Sequence, residues 1–233
     1  MADYQAGEVI LIDKPLKWTS FDVVNKLKWT FKKHFGYKKI KVGHAGTLDP
    51  LASGLLIVCT GKKTKSIADI QNQKKVYTGR FELGAVTPSY DLETEVEAKA
   101  DPTHLKENEL HDAAAKLTGE LEQVPPIFSA KKIKGKRAYD LARDGQKPKM
   151  QPKTVFVHSF EIVKVDLPEV YFKIECSKGT YIRSLAHDFG ELLEVGAYLK
   201  RLRREAIGNY HLKEATSIDA LVSELQEQAA EKT

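Results

Sequence analysis

The sequence predicts an α+β fold with a mixed, largely antiparallel central sheet flanked by helices, and three observations carry that reading. Val170, Phe172, Ile174 and Cys176 alternate with Tyr171, Lys173, Glu175 and Ser177, the period-two pattern of a half-buried strand. The segments Ser184 to Leu193 and Leu110, Ala114, Leu117 instead carry apolar residues at helical spacing. Strand and helix signals mix along the chain without regular βαβ alternation, internal repeat or low-complexity linker.

Taken in order, Glu8-Val9-Ile10-Leu11-Ile12 reads as a short buried strand that Asp13-Lys14-Pro15 terminates. Thr19 or Ser20 then caps a helix with Phe21, Val24 and Leu27 at helical spacing. The apolar run Leu55-Leu56-Ile57-Val58-Cys59 is a buried strand or a helix start. Val76 to Gly84 alternates, placing Tyr77, Gly79, Phe81 and Leu83 on one side of a strand. Thr87 to Asp101 is an acidic loop with some strand, and the helix through Leu110 and Leu117 closes at Gly119. Val124-Pro125-Pro126 interrupts regular structure, and the basic segment through Met150 reads as an arm with a short helix at Leu141 and Ala142. Thr154 to Val165 is β-prone. In the tail, Thr216 and Asp219 form a capping-box pattern ahead of Ile218, Leu221, Val222 and Leu225 on one helix face.

The 233 residues suffice for one large domain or two small ones, and 42% apolar with 30% charged residues is an ordinary soluble composition. No apolar run approaches the roughly 20 residues that cross a bilayer, and the N-terminal residues lack the regions of a signal peptide. Cys59 and Cys176 are far apart and without metal-ligand spacing, so both are expected as buried apolar groups in a reducing cytoplasm. The formal charge of +5 is unevenly spread. Seven lysines and no acid lie between Lys26 and Lys41, interleaved with Trp29, Phe31, Phe35 and Tyr37. Nine Lys or Arg lie between Lys131 and Lys153, and Lys200-Arg201-Leu202-Arg203-Arg204 makes a third cluster. One such run is readily a solvated helix face, whereas three in one chain point to a polyanion such as a nucleic acid.

The stretch with most chemical content is Gly43-His44-Ala45-Gly46-Thr47-Leu48-Asp49-Pro50, followed by Leu51-Ala52-Ser53-Gly54 and the apolar run. Gly43 and Gly46 permit positive φ and close approach to the backbone, and Pro50 biases Asp49 toward an extended conformation. Asp49 is therefore expected at the rim of a rigid core, either capping the following turn or acting as a reactive carboxylate. A second stretch, Cys176-Ser177-Lys178-Gly179-Thr180-Tyr181-Ile182-Arg183-Ser184, joins the best strand to a helix. Arg183 offers a planar fork that, if half-buried, requires a carboxylate. Asp49 and the nearby Asp188 are equal candidates for that partner.

Taken together, these stretches make the chain resemble the TruB family of tRNA pseudouridine synthases from about Gly7 to about Arg204. The run at 43–54 resembles the family's catalytic motif. Leu11-Ile12-Asp13-Lys14-Pro15, Lys75-Val76-Tyr77 and Gly179-Thr180-Tyr181-Ile182-Arg183-Ser184 follow the family order, as does a basic arm from Val124-Pro125-Pro126-Ile127-Phe128-Ser129-Ala130 to Ala142-Arg143-Asp144-Gly145. The resemblance implies the pseudouridine synthase fold, with a catalytic domain over 1–210, the arm at about 124–153 and a helical tail over 211–233. It implies isomerisation of uridine 55 in the tRNA T loop to pseudouridine, without cofactor or metal.

Asp49 would be the essential carboxylate, as nucleophile at C1′ or as base at C2′. Attack at an anomeric carbon is what carboxylates do in retaining glycosidases. Tyr77 would hold the everted base and assist removal of the C5 proton. His44 would fill the space the base vacates, Tyr181 and Leu202 would wall the pocket, and Arg183 would pair with Asp49. Lys131, Lys132, Arg137 and Arg143 of the arm would contact RNA. The implied partner is the tRNA T-arm, with no membrane or metal, and the protein is expected as a cytoplasmic monomer.

The chain departs from the resemblance after Arg204, where about thirty residues stand in place of the family's usual C-terminal PUA domain. The arm and the Lys26–Lys41 run are then expected to carry more of the RNA grip. Readings from other classes are weaker. A non-catalytic RNA-binding or remodelling factor would share the basic face but tolerate loss of Asp49. A glycoside or nucleoside hydrolase wants a second carboxylate, which the other motifs do not supply. A phosphate loop is disfavoured because Thr60-Gly61-Lys62-Lys63 lacks the upstream glycine spacing.

Overall fold

The computed structural model describes residues 3–129, 131–133, 135–146 and 148–230. In chain order the first elements are β1 (Val9–Lys14), α1 (Ser20–Phe35), β2 (Val42–His44), β3 (Ala52–Thr60), α2 (Ile67–Asn72) and β4 (Lys75–Leu83). Next come the small pair β5 (Ala85–Val86) and β6 (Glu97–Ala98), then α3 (Glu107–Lys116) and β7 (Gly119–Gln123). The arm holds β8 (Lys132–Ile133), β9 (Lys136–Arg137) and α4 (Ala138–Arg143). After it follow β10 (Lys153–Asp166), β11 (Glu169–Cys176), α5 (Ile182–Leu192) and β12 (Ala197–Ile207). The chain finishes with β13 (Tyr210–His211), β14 (Thr216–Ser217) and α6 (Ile218–Ala230). This is the α+β, mostly antiparallel architecture expected. Its residues cluster into two compact units, Met1–Tyr77 with Arg203–Thr233, and Thr78–Leu202. Strands β4 and β12 carry residues of both.

In the first unit the strand order is β14-β1-β3-β12, with β2 also on β3 and β13 on β12. β1 runs antiparallel to β3 from Val9↔Cys59 to Lys14↔Gly54, and parallel to β14. All nine residues of β3 are buried because both faces of the strand are covered. Leu56 and Val58 join Val24, Leu27 and Phe31 of α1 and Leu221 and Leu225 of α6. Leu55, Ile57 and Cys59 pack with Ile70 and Ile207 on the other side. Thr19 caps α1 and exchanges hydrogen bonds with Asp22 in a capping box, and Gly36 closes the helix at φ 66°.

Three local expectations shift. Phe21 is 63% exposed while Val23 is buried, since the buried stripe of α1 runs through Ser20, Val23, Val24 and Leu27. Gly119 opens β7 instead of ending α3. The α6 cap comes from Ser217, one residue after the expected Thr216, with its Oγ accepting from Ala220 N at 3.2 Å just ahead of the helix start at Ile218.

In the second unit the order is β12-β4-β11-β10-β7, and β10 pairs antiparallel with both β11 and β7. Its core is aromatic. Phe81 and Phe172 lie 4.3 Å apart by ring centroid, and Phe189 of α5 sits 5.7 Å from Phe81 and 5.5 Å from Phe160. Both cysteines are buried, as expected. The arm begins with a hairpin, Lys132 opposite Arg137, and continues into the short helix expected at Leu141 and Ala142.

The basic run at 200–204 departs from its expected role. Lys200 to Arg204 reads as a surface charge cluster, yet it lies within β12 and is not a free positive face. Lys200 pairs with Glu82 and Glu169, Arg203 donates to Asp13 at 2.7 Å, and Arg204 is 1% exposed.

Candidate active site

Asp49 stands in the turn between β2 and β3, half-buried, at the end of a strand whose two faces are fully packed. Its neighbours are fixed one main-chain group at a time. Ser20, at the start of α1, accepts from Leu48 N at 2.8 Å and donates to Leu48 O at 3.2 Å, so one hydroxyl satisfies both buried groups. Ala52 N donates to Asp49 O at 3.0 Å, and Lys17 N to Pro50 O at 2.7 Å. Ala45 N donates to Ile57 O, which ties the loop's first strand to β3.

Two buried cations flank this loop. Lys14 is fully buried and donates to Pro15 O at 2.9 Å and Trp18 O at 2.7 Å. Burial pushes its pKa down to about 8, Asp49's negative charge works against that, and Arg204's positive charge adds to it. Arg204 donates from Nε to Leu55 O at 2.8 Å, from Nη2 to Gly46 O at 3.0 Å and from Nη1 to Thr47 O at 3.3 Å. His44 ends β2 with Nδ1 buried. Burial, and then the charge of Arg204, lower its pKa and favour the neutral imidazole. Tyr77 lies on the buried face of β4.

In the second unit, Arg183 begins α5 with its side chain almost fully buried. Nη1 lies 3.5 Å from Asp91 Oδ2 and donates to Ser89 O at 3.5 Å. The loop carrying Asp91 is held through both the side chain and the main chain of that residue. Glu93 N donates to Asp91 Oδ1 at 3.0 Å, and the Thr87 and Ser89 hydroxyls donate to Asp91 O at 2.7 and 3.1 Å. Tyr90, at φ 62°, stacks on His187 with ring centroids 4.2 Å apart. Tyr181 precedes α5. Its N donates to Gln123 Oε1 at 2.7 Å and its O accepts from Gln123 Nε2 at 3.1 Å. Leu202 is buried on β12.

Asp49, His44 and Tyr77 thus belong to the first unit, and Arg183, Tyr181 and Leu202 to the second. Of the arm residues, Lys131 donates to Gln151 O at 3.1 Å. The side chains of Lys132, Arg137 and Arg143 lie outside the described residues.

Sequence reasoning missed Lys14, Ser20, Asp91 and Arg204. A signal for Arg204 existed. Leu202, Arg204 and Ala206 alternate with Arg201, Arg203 and Glu205, which is strand periodicity with a cation on the apolar side. Thr60 to Lys63, disfavoured as a phosphate loop, runs from the end of β3 into a 3-10 turn at Gly61–Ser66. Among the described residues no cluster of three His, Cys, Asp or Glu could hold a metal, and no helix is long and apolar enough to cross a membrane.

Residues 32–182 match the model of the TruB family pseudouridylate synthase N-terminal domain, a span containing His44, Asp49, Tyr77, Asp91 and Tyr181. A tRNA pseudouridine synthase B of Flavobacterium johnsoniae is 51% identical over 225 residues, covering 96% of this chain and 98% of the relative. The protein of that name from Phocaeicola vulgatus is 46% identical, covering 99% and 98%. Among solved structures, a chain in an H/ACA RNP bound to a substrate RNA containing 2′-deoxyuridine superposes with a TM-score of 0.71 at 26% identity. That match covers 99% of this chain and 56% of the other. A chain in an archaeal box H/ACA sRNP Nop10-Cbf5 complex superposes with a TM-score of 0.70, covering 99% and 57%. The chain belongs to the TruB family of pseudouridylate synthases.

Proposed function

We propose that this protein isomerises uridine 55 in the T loop of tRNA to pseudouridine, with Asp49 as the carboxylate on which the reaction depends. The observation that carries the reading is the seating of Asp49. It sits on a loop whose neighbouring main-chain groups are held by Ser20, Lys17 and Arg204, beside the buried cations Lys14 and Arg204. A carboxylate so placed costs little reorganisation when it acts.

The isomerisation breaks the bond from uracil N1 to C1′, turns the base and forms a bond from C5 to C1′, with the C5 proton leaving and N1 gaining one. Atoms and oxidation state balance, so acid–base and nucleophilic groups suffice. Asp49 assists the first step by attacking C1′ or by taking the C2′ proton. Arg183, a planar fork already paired with Asp91, orients the Asp49 carboxylate. Tyr77 stacks under the everted base and helps remove the C5 proton, while Tyr181 and Leu202 wall the pocket. Neutral His44 fills the position left by the flipped base. Lys131, Lys132, Arg137 and Arg143 contact the RNA backbone, so charge reversal at the first three should weaken binding and flatten its salt dependence.

The direct test is chemical mapping of pseudouridine in an unmodified T stem-loop transcript after incubation with the protein. Modification confined to the position of uridine 55 is expected. An unmodified transcript that the protein still binds would favour a non-catalytic RNA-binding role instead.

A further inference from the structure

We propose that Arg204 is a positioning residue for this reaction, whose guanidinium ties both ends of the loop carrying Asp49 and so sets where that carboxylate stands. The inference rests on the assignment of Asp49 above. Two of its bonds go to the segment before Asp49, at Gly46 O and Thr47 O, and one goes to Leu55 O after it. Residues 48–54, the turn and the first residues of β3, are therefore clasped at their base by one rigid planar group.

The strand bearing Arg204 is held equally closely. Gly54 lies at φ +102°, and a Cβ there would come within 2.5 Å of Arg204 O and 2.7 Å of Arg204 N. Gly46 lies at φ +116°, with room for a Cβ 3.6 Å from Arg204 Nη1. The guanidinium thus cannot move without the loop, nor the loop without it.

The residue type also argues against simple core filling. Leu202 and Ala206, two positions either side on β12, are buried and apolar. A third aliphatic residue would fill the space between them without the desolvation cost of a charge. Among the described residues, Arg204 donates to three main-chain carbonyls and to no carboxylate. What the cation adds over an aliphatic side chain is a three-point clasp and a positive charge beside the Asp49 loop. Misplacing a reacting group by about 1 Å can cost on the order of 100-fold in rate.

The test compares Arg204→Lys and Gly46→Ala with Asp49→Asn, using an unmodified T-arm transcript and separate measurement of kcat, KM and RNA binding. An ammonium cannot reproduce three planar donors. Arg204→Lys is therefore expected to lower kcat about 100-fold, while KM and RNA affinity stay within about threefold. Hydrogen exchange at Leu48 and Ala52 should quicken in the same variant. Gly46→Ala strains a positive-φ residue and displaces the carbonyl that accepts from Nη2 while leaving the guanidinium intact. It is expected to lower kcat at least tenfold with KM unchanged, and it decides the matter should Arg204→Lys fail to fold. Either variant folded, with wild-type kcat or with its loss confined to KM, would overturn the positioning role. An inactive Asp49→Asn beside an unimpaired Arg204→Lys removes only Arg204 from the account. An active Asp49→Asn removes the catalytic assignment and this inference with it.

Discussion

Arg183 in one unit and Arg204 in the other are buried to nearly the same degree, 5% and 1% exposed, yet they are held differently. Arg183 faces a buried carboxylate, Asp91, which accepts from Glu93 N while the Asp91 main-chain carbonyl accepts from the Thr87 and Ser89 hydroxyls. Arg204 faces carbonyl dipoles alone among the described residues. The first arrangement offsets a charge with a charge and fixes the arginine itself. The second spends a charge on the backbone around it and fixes a loop. Both units also share a smaller device, in which one polar side chain satisfies both main-chain groups beside a site residue. Ser20 does so at Leu48, next to Asp49, and Gln123 does so at Tyr181. In each unit the main chain at that position is thus left with little freedom of its own.

The contrast can be broken most forcefully at Asp91. Asp91→Ala leaves the Arg183 guanidinium buried without this carboxylate. It should cost about 3 kcal/mol of stability in urea denaturation and depress turnover sharply. A variant as stable as the wild type would mean that Arg183 draws its compensation elsewhere. Next in size are Ser20→Ala and Gln123→Ala. Each orphans a main-chain donor and acceptor and should cost about 2 kcal/mol. If the two differ by more than about 1 kcal/mol, the shared device is not equally buried in both units.

The smallest signal comes from Lys14, whose pKa is lowered by burial to about 8 from an ordinary 10.5. Between those values the unfolded chain binds the proton that the folded one has released, so this group makes stability rise with pH. The stability gap between wild type and Lys14→Met should therefore move in favour of the wild type from pH 7.5 to pH 9.5. A gap independent of pH would show that Lys14 titrates normally. At acid pH the Glu169 carboxyl, held down to about 2 chiefly by Lys200 and then Tyr171, should keep its pairs until well below pH 4.

Much of this architecture is legible in the amino-acid sequence alone. Period-two runs mark β4 and β11, the apolar run after Gly54 forms β3, and of the two candidate caps Thr19 and Ser20 it is Thr19 that caps α1. The glycine-rich loop places Asp49 correctly at the rim of a packed core. What stays hidden depends on partners distant in sequence. Lys200 and Arg203 look like solvated cations until Glu82, Glu169 and Asp13 are seen beside them. Asp91 is one acid among many in its loop, and only folding brings it to Arg183. Asp188, the partner suggested by closeness in sequence, instead has its pKa raised by burial. Arg204 is hidden for the opposite reason, because a charged residue is rarely expected on the apolar side of a strand.

The most direct measurement is tritium release from C5-labelled tRNA by Asp49→Asn, run beside a binding assay on the same preparation. Turnover should vanish while tRNA affinity stays within about tenfold of the wild type. Near-normal release by that variant would contradict the assignment of the chemistry to Asp49.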